Sequence, residues 1–137
     1  MHLNNHKFAI SVFCLYICHL NKKTMRKTDI HFSVELDTQN VPTKITWDAT
    51  DKPEEGPTET KAISVALWDH QQKNTLRIDL WAKDMPVTEM KRFYIDCIGG
   101  LAQSALTSTG DEFMSTEMNA LCEKLVKHLQ NEIKKEA

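Results

Sequence analysis

The stretch Thr75–Met90, TLRIDLWAKDMPVTEM, decides how this chain is read. Leu76, Ile78 and Leu80 alternate with Arg77, Asp79 and Trp81, the period of a strand whose successive side chains point to opposite faces. The run then closes in a turn. Asp84 is placed to cap a following helix, and Pro86 suits that helix's first turn, where a missing N–H costs little. A last strand locked to a helix is the element around which the rest must be arranged.

Upstream, Ile30, Phe32, Val34 and Leu36 alternate with polar residues, and after DTQN a second run holds Val41, Ile45 and Trp47. Together they predict an antiparallel hairpin, with Pro42 near a strand start or on an edge because it has no ladder donor. Residues 49–60, ATDKPEEGPTET, are acidic and punctuated by Pro53, Gly56 and Pro57. They read as a connecting loop. Lys61–Trp68 alternates as a strand through Ile63, Val65 and Leu67, while Ala62, Ala66 and a cap at Thr58 also allow a short helix.

Downstream, Val87, Met90, Phe93 or Tyr94, Cys97, Leu101 and Ala105 recur at helical spacing. Gly99 and Gly100 interrupt that stripe and predict a kink or a close backbone crossing. Thr109–Glu112 has capping-box spacing, and Met114, Met118, Leu121, Cys122, Leu125, Leu129 and Ile133 define a second helix. The expected fold is α+β. A four-stranded antiparallel β-meander, its third strand open to a helical reading, precedes two α-helices packed on one face.

Charged residues make up 26% of the 137 and apolar ones 41%, a globular composition sized for one domain. The net charge is −2, but residues 1–24 hold three lysines and no carboxylate, so residues 25–137 stand at −5. Such a body repels phosphate backbones and anionic membranes at long range. Residues 1–24 also contain the apolar run Phe8–Ile17, FAISVFCLYI, well short of the about 20 residues of a spanning helix. No small-x-small cleavage site follows it. The expectation is an extension outside the fold, with the domain beginning at Met25; an export or anchoring signal and a helix packed on the fold are the alternatives.

Four cysteines, Cys14, Cys18, Cys97 and Cys122, are read as reduced structural thiols, with a Cys97–Cys122 bridge left open if the helices pack antiparallel. Metal-ligand spacing, a phosphate-cradling glycine loop and a nucleophile elbow are all missing from the sequence. No catalytic, cofactor or metal residue is therefore assigned. Asp69–His70 near Arg77 and Asp79 could form an acid–base pair, or simply a hydrogen-bonded turn. Trp47, Trp68, Arg77, Asp79 and Trp81 are expected on the far face of the sheet, where they form a candidate interaction patch, since tryptophan and arginine dominate binding hot spots. That face is covered either by this chain's own loop and termini or by a partner.

VELDTQNVPTKITWDA, TKAISVALWD and NTLRIDLWAKDMPVTEMKRFY together resemble the GldC family of gliding-motility proteins from Bacteroidota. The resemblance runs from about Asp29 into the second helix and leaves out residues 1–24. Its signature falls on Trp47, Trp68, Asp69, Leu76, Arg77, Asp79, Leu80, Trp81, Asp84, Met85 and Met90. What it implies is a small cytoplasmic accessory or adaptor protein without enzymatic activity or cofactor. Its expected partners are other proteins of the motility and associated secretion machinery, with a homo-oligomer compatible and neither nucleic acid nor a membrane segment involved. A small-ligand or catalytic module with a pocket between sheet and helices is the alternative.

Overall fold

The computed structural model describes residues 25–136; the readings of residues 1–24, Cys14 and Cys18 included, lie outside the described residues. The chain runs through strands β1 (Ile30–Leu36), β2 (Pro42–Ala49), β3 (Thr58–Thr60), β4 (Ala62–Asp69) and β5 (Asn74–Trp81). Helices α1 (Val87–Thr109) and α2 (Glu112–Glu136) follow. The fold is α+β. Residues 61–68, open to two readings in the sequence, lie almost wholly in strand β4.

The four-stranded meander is corrected in one respect. The strands form a three-stranded antiparallel sheet, β1-β2-β3, and a separate two-stranded ribbon, β4-β5. The segment read as a loop to residue 60 supplies the extra strand: Thr58–Thr60 pairs with Ile45–Trp47. At Lys61 the chain changes partner. The Lys61 carbonyl accepts the Ala82 N–H at 2.8 Å, and the Lys83 N–H donates to the Pro42 carbonyl at 2.9 Å, so the end of β5 is tied to the start of β2. A meander would have required β2 to pair along the whole of β4; here three residues of pairing are followed by a transfer.

Both hairpins turn on an aspartate. In the first, the Asp37 carboxylate accepts the N–H groups of Gln39 and Val41 at 2.9 and 3.0 Å, with Asn40 left-handed at φ 60°. In the second, Asp69 accepts from Gln71 and Gln72 at 2.8 and 3.0 Å, with Lys73 left-handed at φ 55°. These Asx-type bonds offer the backbone a turn in place of a ladder. The Asp69–His70 segment is thus the hydrogen-bonded turn of its two readings, and Asp69 is occupied by its own loop.

Two helix ends depart from expectation. Asp84 does not cap α1; Pro86 holds the cap position, with no side-chain hydrogen bond, while Asp84 pairs with Lys61 Nζ at 2.9 Å. The cap of α2 is Asp111, whose carboxylate accepts the Met114 N–H at 2.8 Å, rather than Thr109. Between the helices Gly110 takes φ 71° and its N–H closes α1 on the Leu106 carbonyl, a glycine C-cap.

Helices α1 and α2 lie against each other along their length, and α1 also meets β4. Gly99 of α1 faces Cys122 of α2. A Cβ there would stand 3.9 Å from Cys122 Sγ, and that thiol points at the Ile95 carbonyl 3.6 Å away. Cys97 and Cys122 are free thiols, and α1 is continuous through Gly99–Gly100; the glycine pair produces no break in the helix, and a methyl at either position would meet no more than ordinary contact. The fully enclosed core is small. Ile45, Ala82, Ala102 and Leu129 are the apolar side chains removed from solvent among the described residues.

Three substitutions test this packing. Gly100→Ala should raise unfolding stability by about 0.5–1 kcal/mol through helix propensity, since no atom stands within 4 Å of the added methyl. Gly110→Ala should lower it by about 1–2 kcal/mol because its left-handed backbone penalises a Cβ. Ile45→Ala should cost about 2–5 kcal/mol. Urea denaturation of the three variants checks all of these.

Candidate functional site

The five residues of the expected patch are divided between the three-stranded sheet and the two-stranded ribbon. Trp47 lies in β2, opposite Phe32 of β1 and Thr58 of β3. Trp68, Arg77, Asp79 and Trp81 lie in the β4–β5 ribbon. Register puts Trp68 beside Thr75, Ala66 beside Arg77, Ser64 beside Asp79 and Ala62 beside Trp81, so these eight residues share one face. Trp68 and Trp81 bracket that face, about 20 Å apart at the usual rise per residue. Between them sits a compact polar network.

In that network Arg77 clamps the Asp79 carboxylate with Nη2 at 2.9 Å and Nε at 3.2 Å. Ser64 donates to the same carboxylate at 2.6 Å and accepts from Arg77 Nη2 at 3.1 Å. The bidentate geometry suits the planar guanidinium. The hydrogen bonds from Arg77 and then Ser64 hold the Asp79 carboxyl below the usual carboxylate range. Arg77 in turn is made harder to deprotonate, chiefly by its hydrogen bond to Asp79. The network faces α1 closely enough to act on Cys97: burial and then Asp96 push that thiol up, Arg77 opposes and Asp79 adds. All of its charges are internally answered, which makes it a stay between strands with no free acid or base.

The opposite face of the ribbon is apolar. Val65 pairs with Ile78 and Leu67 with Leu76, and Leu67, Leu76 and Ile78 are 53%, 52% and 49% exposed. Trp68 and Trp81 on the network face are 63% and 44% exposed. Large apolar side chains thus reach solvent on both sides of one two-stranded ribbon, an arrangement rarely left unpartnered on soluble proteins.

Trp47 has its own environment. Lys52, from the acidic loop, brings Nζ to 5.1 Å from the Trp47 ring centroid with only 3% of its side chain exposed. It donates to the Thr58 hydroxyl at 2.6 Å and to the Gly56 carbonyl, and Asp48 stands 3.8 Å away. A buried ammonium is tolerated because these oxygens and the ring face replace water. Sequence reading missed Lys52; a lone lysine in a Pro- and Gly-rich loop carries no signal of this.

Two shallow depressions stand out among the described residues. One of about 190 Å³ is lined by His31, Ser33, Thr46, Trp47, Asp48 and Pro57. The other, about 260 Å³, lies between the helices at Tyr94, Ile98, Leu125 and His128. Both are smaller than the roughly 300–1,000 Å³ of ordinary ligand pockets, and neither lies between sheet and helices. Among the described residues no three His, Cys, Asp or Glu side chains stand where they could hold a metal ion. No helix among them is long and apolar enough to cross a membrane.

Residues 42–131 match the family model described as gliding motility-associated protein GldC-like. The chain belongs to the GldC-like family. The matched segment takes in β2 to β5, α1 and most of α2, and leaves β1 outside. The ribbon, its Arg77–Asp79–Ser64 network and its exposed leucines and tryptophans are therefore all within the GldC-like match. No curated protein and no solved structure matches the chain.

The depressed carboxyls set a pH dependence. Asp37, Asp79, Asp84 and Glu132 are all held below the usual carboxylate range by hydrogen bonds, from backbone amides first at Asp37 and from Arg77, Lys61 and Lys91 at the others. Such groups stabilise the fold above the unfolded-state value of about 4 and lose that contribution as pH falls through their lower folded values. Thermal melts should decline in acid below about pH 4. NMR titration of the Asp79 carboxyl should show a midpoint below the ordinary aspartate value that moves upward in Arg77→Ala; an unmoved midpoint would show that Arg77 does not set it.

Proposed function

We propose that this GldC-like protein is a non-enzymatic adaptor of the gliding-motility or associated secretion machinery, working at its cytoplasmic side through contacts with other proteins. The observation that carries this reading is the β4–β5 ribbon. Its leucines and isoleucine on one face, and its tryptophans around a satisfied Arg–Asp pair on the other, are the residue types that anchor protein interfaces. Rigid aromatic anchors beside a prepaired arginine lose little freedom on docking. Family membership supplies the context, and the ribbon supplies the contact.

The test is the double variant Arg77→Ala with Trp81→Ala, expressed in the native cell and analysed by crosslinking mass spectrometry. The expected result is an intact fold by circular dichroism with loss of the crosslinks from the ribbon to a motility-machinery protein. Retained crosslinks would refute the assignment of the contact to this face. Unfolding of the double variant would show that the face is core, and Trp68→Ala, at the far and more exposed end, then provides the independent reading.

A further inference from the structure

Strand β1 is the outer strand of the three-stranded sheet, with β2 on one side and no strand on the other among the described residues. Its backbone hydrogen bonds fix which groups face each way. Thr50 N–H donates to the Asp29 carbonyl, Asp37 N–H to the Val41 carbonyl and the Thr43 hydroxyl to the Glu35 carbonyl, so the odd-numbered residues turn their backbone groups toward β2. Ile30, Phe32, Val34 and Leu36 turn theirs outward. The irregularity near Leu36 skips Thr43 of β2, so the outer row of β1 stays regular. Edge strands usually guard such a row with charge, proline or a covering segment. Here Ile30, Phe32 and Leu36 are instead large, apolar and 58%, 45% and 53% exposed.

We infer that β1 pairs antiparallel with β1 of a second copy about a two-fold axis at Ser33, joining two three-stranded sheets into one continuous sheet. The strand's own sequence selects this partner, because IHFSVEL laid against its reverse complements itself. Ile30 falls opposite Leu36, His31 opposite Glu35, Phe32 opposite Val34 and Ser33 opposite Ser33. The four apolar residues form the hydrogen-bonded pairs, as their outward backbone requires, and His31 meets Glu35 in the closer non-hydrogen-bonded pairs. There an imidazole, a donor in either charge state, faces a carboxylate. Extended into β2 by the observed register, each row across the joined sheet is consistent. Asp48 and His31 of one copy continue into Glu35 and Lys44 of the other, alternately acidic and basic, with Glu35 and Lys44 already 3.7 Å apart within a chain. Trp47 and Phe32 continue into Val34 and Ile45, and Thr46 and Ser33 into the same pair reversed. Sliding the register by two residues destroys this match: one direction sets Glu35 against Asp29, the other Ile30 against Thr38. The same strand reversed meets every condition, and a two-fold axis lets one edge serve both copies.

The full chain is compared by sedimentation equilibrium with two double variants, Ile30→Lys/Leu36→Lys and Ile30→Lys/Leu36→Glu. Both positions are more than half exposed, and their neighbours across β2, Ala49 and Pro42, are uncharged. Across the two-fold axis the first variant opposes like charges and the second opposite charges. Wild type is expected at twice the 15.8 kDa chain mass. The like-charged variant should fall to the single mass, its affinity lowered by about a hundredfold or more, and the oppositely charged variant should remain dimeric. A monomeric wild type, including one whose β1 takes a strand of another protein or a segment of its own chain, overturns the inference. So does a like-charged variant that stays dimeric, or an oppositely charged one that dissociates equally. If the like-charged variant fails to fold, oxidation of single-cysteine substitutions decides. Ser33→Cys sets two thiols in a non-hydrogen-bonded pair with Cα atoms about 4.5 Å apart, within disulfide reach, and should link two copies through position 33. Glu35→Cys should give no such link through position 35, since its two copies lie about 14 Å apart along the strands. Absence of the link at position 33, or equal linking at both positions, overturns the inference.

Discussion

The arrangement depends on the transfer of strand pairing at Lys61. Its carbonyl holds Ala82, its ammonium reaches both Glu59 at 3.0 Å and Asp84 at 2.9 Å, and one residue further on Lys83 binds the Pro42 carbonyl. Three stretches that are distant in sequence meet there: the start of β2, the passage from β3 to β4 and the end of β5. Ala82 is fully enclosed, so the junction has room for a methyl and little more. The ribbon's direction and the entry of α1 both follow from that junction. An Asp84 engaged by Lys61 has no role as a helix cap, which is why Pro86 begins α1 without one.

A thin core is the energetic counterpart of this plan. With few apolar side chains fully enclosed, the local devices matter more than they would in a larger globule: the Asx turns at Asp37 and Asp69, the glycine C-cap at Gly110 and the Asp111 cap. Each satisfies backbone groups that would otherwise go unpaired. Two exposed apolar surfaces lie on strands, the β4–β5 ribbon and the outer strand β1. A ribbon of two strands is marginal alone, and an edge strand leaves a row of backbone groups without a ladder; both gain most from a neighbour.

Legibility in the sequence followed the strength of periodicity. The strands at Ile30–Leu36 and Asn74–Trp81 and both helices could be read because their apolar residues repeat at 2 or 3.6 over many residues. Thr58–Thr60 could not, since three residues of Thr-Glu-Thr beside Gly56 and Pro57 contain no repeat. The separation of Trp47 from Trp68 and Trp81 was equally hidden. Alternation assigns a side chain to a face of its own strand, but which strands share a sheet is a long-range choice. Lys52 over Trp47 depends on a loop folding back on β2, again without a local pattern.

Alone, the sequence of residues 25–136 determined the α+β class, the order of its long elements, the pairing partners within each hairpin and membership of the GldC-like family, because these rest on local spacing and on a recognisable run around LRIDLW. Only the tertiary structure decided where pairing passes from β2 to β5, that Asp84 answers Lys61, that Gly99 lies against Cys122 without a kink, and which apolar residues stay in contact with water. Those outcomes are set by which distant segments compete for the same hydrogen bonds and the same small core, and that competition has no period along the chain.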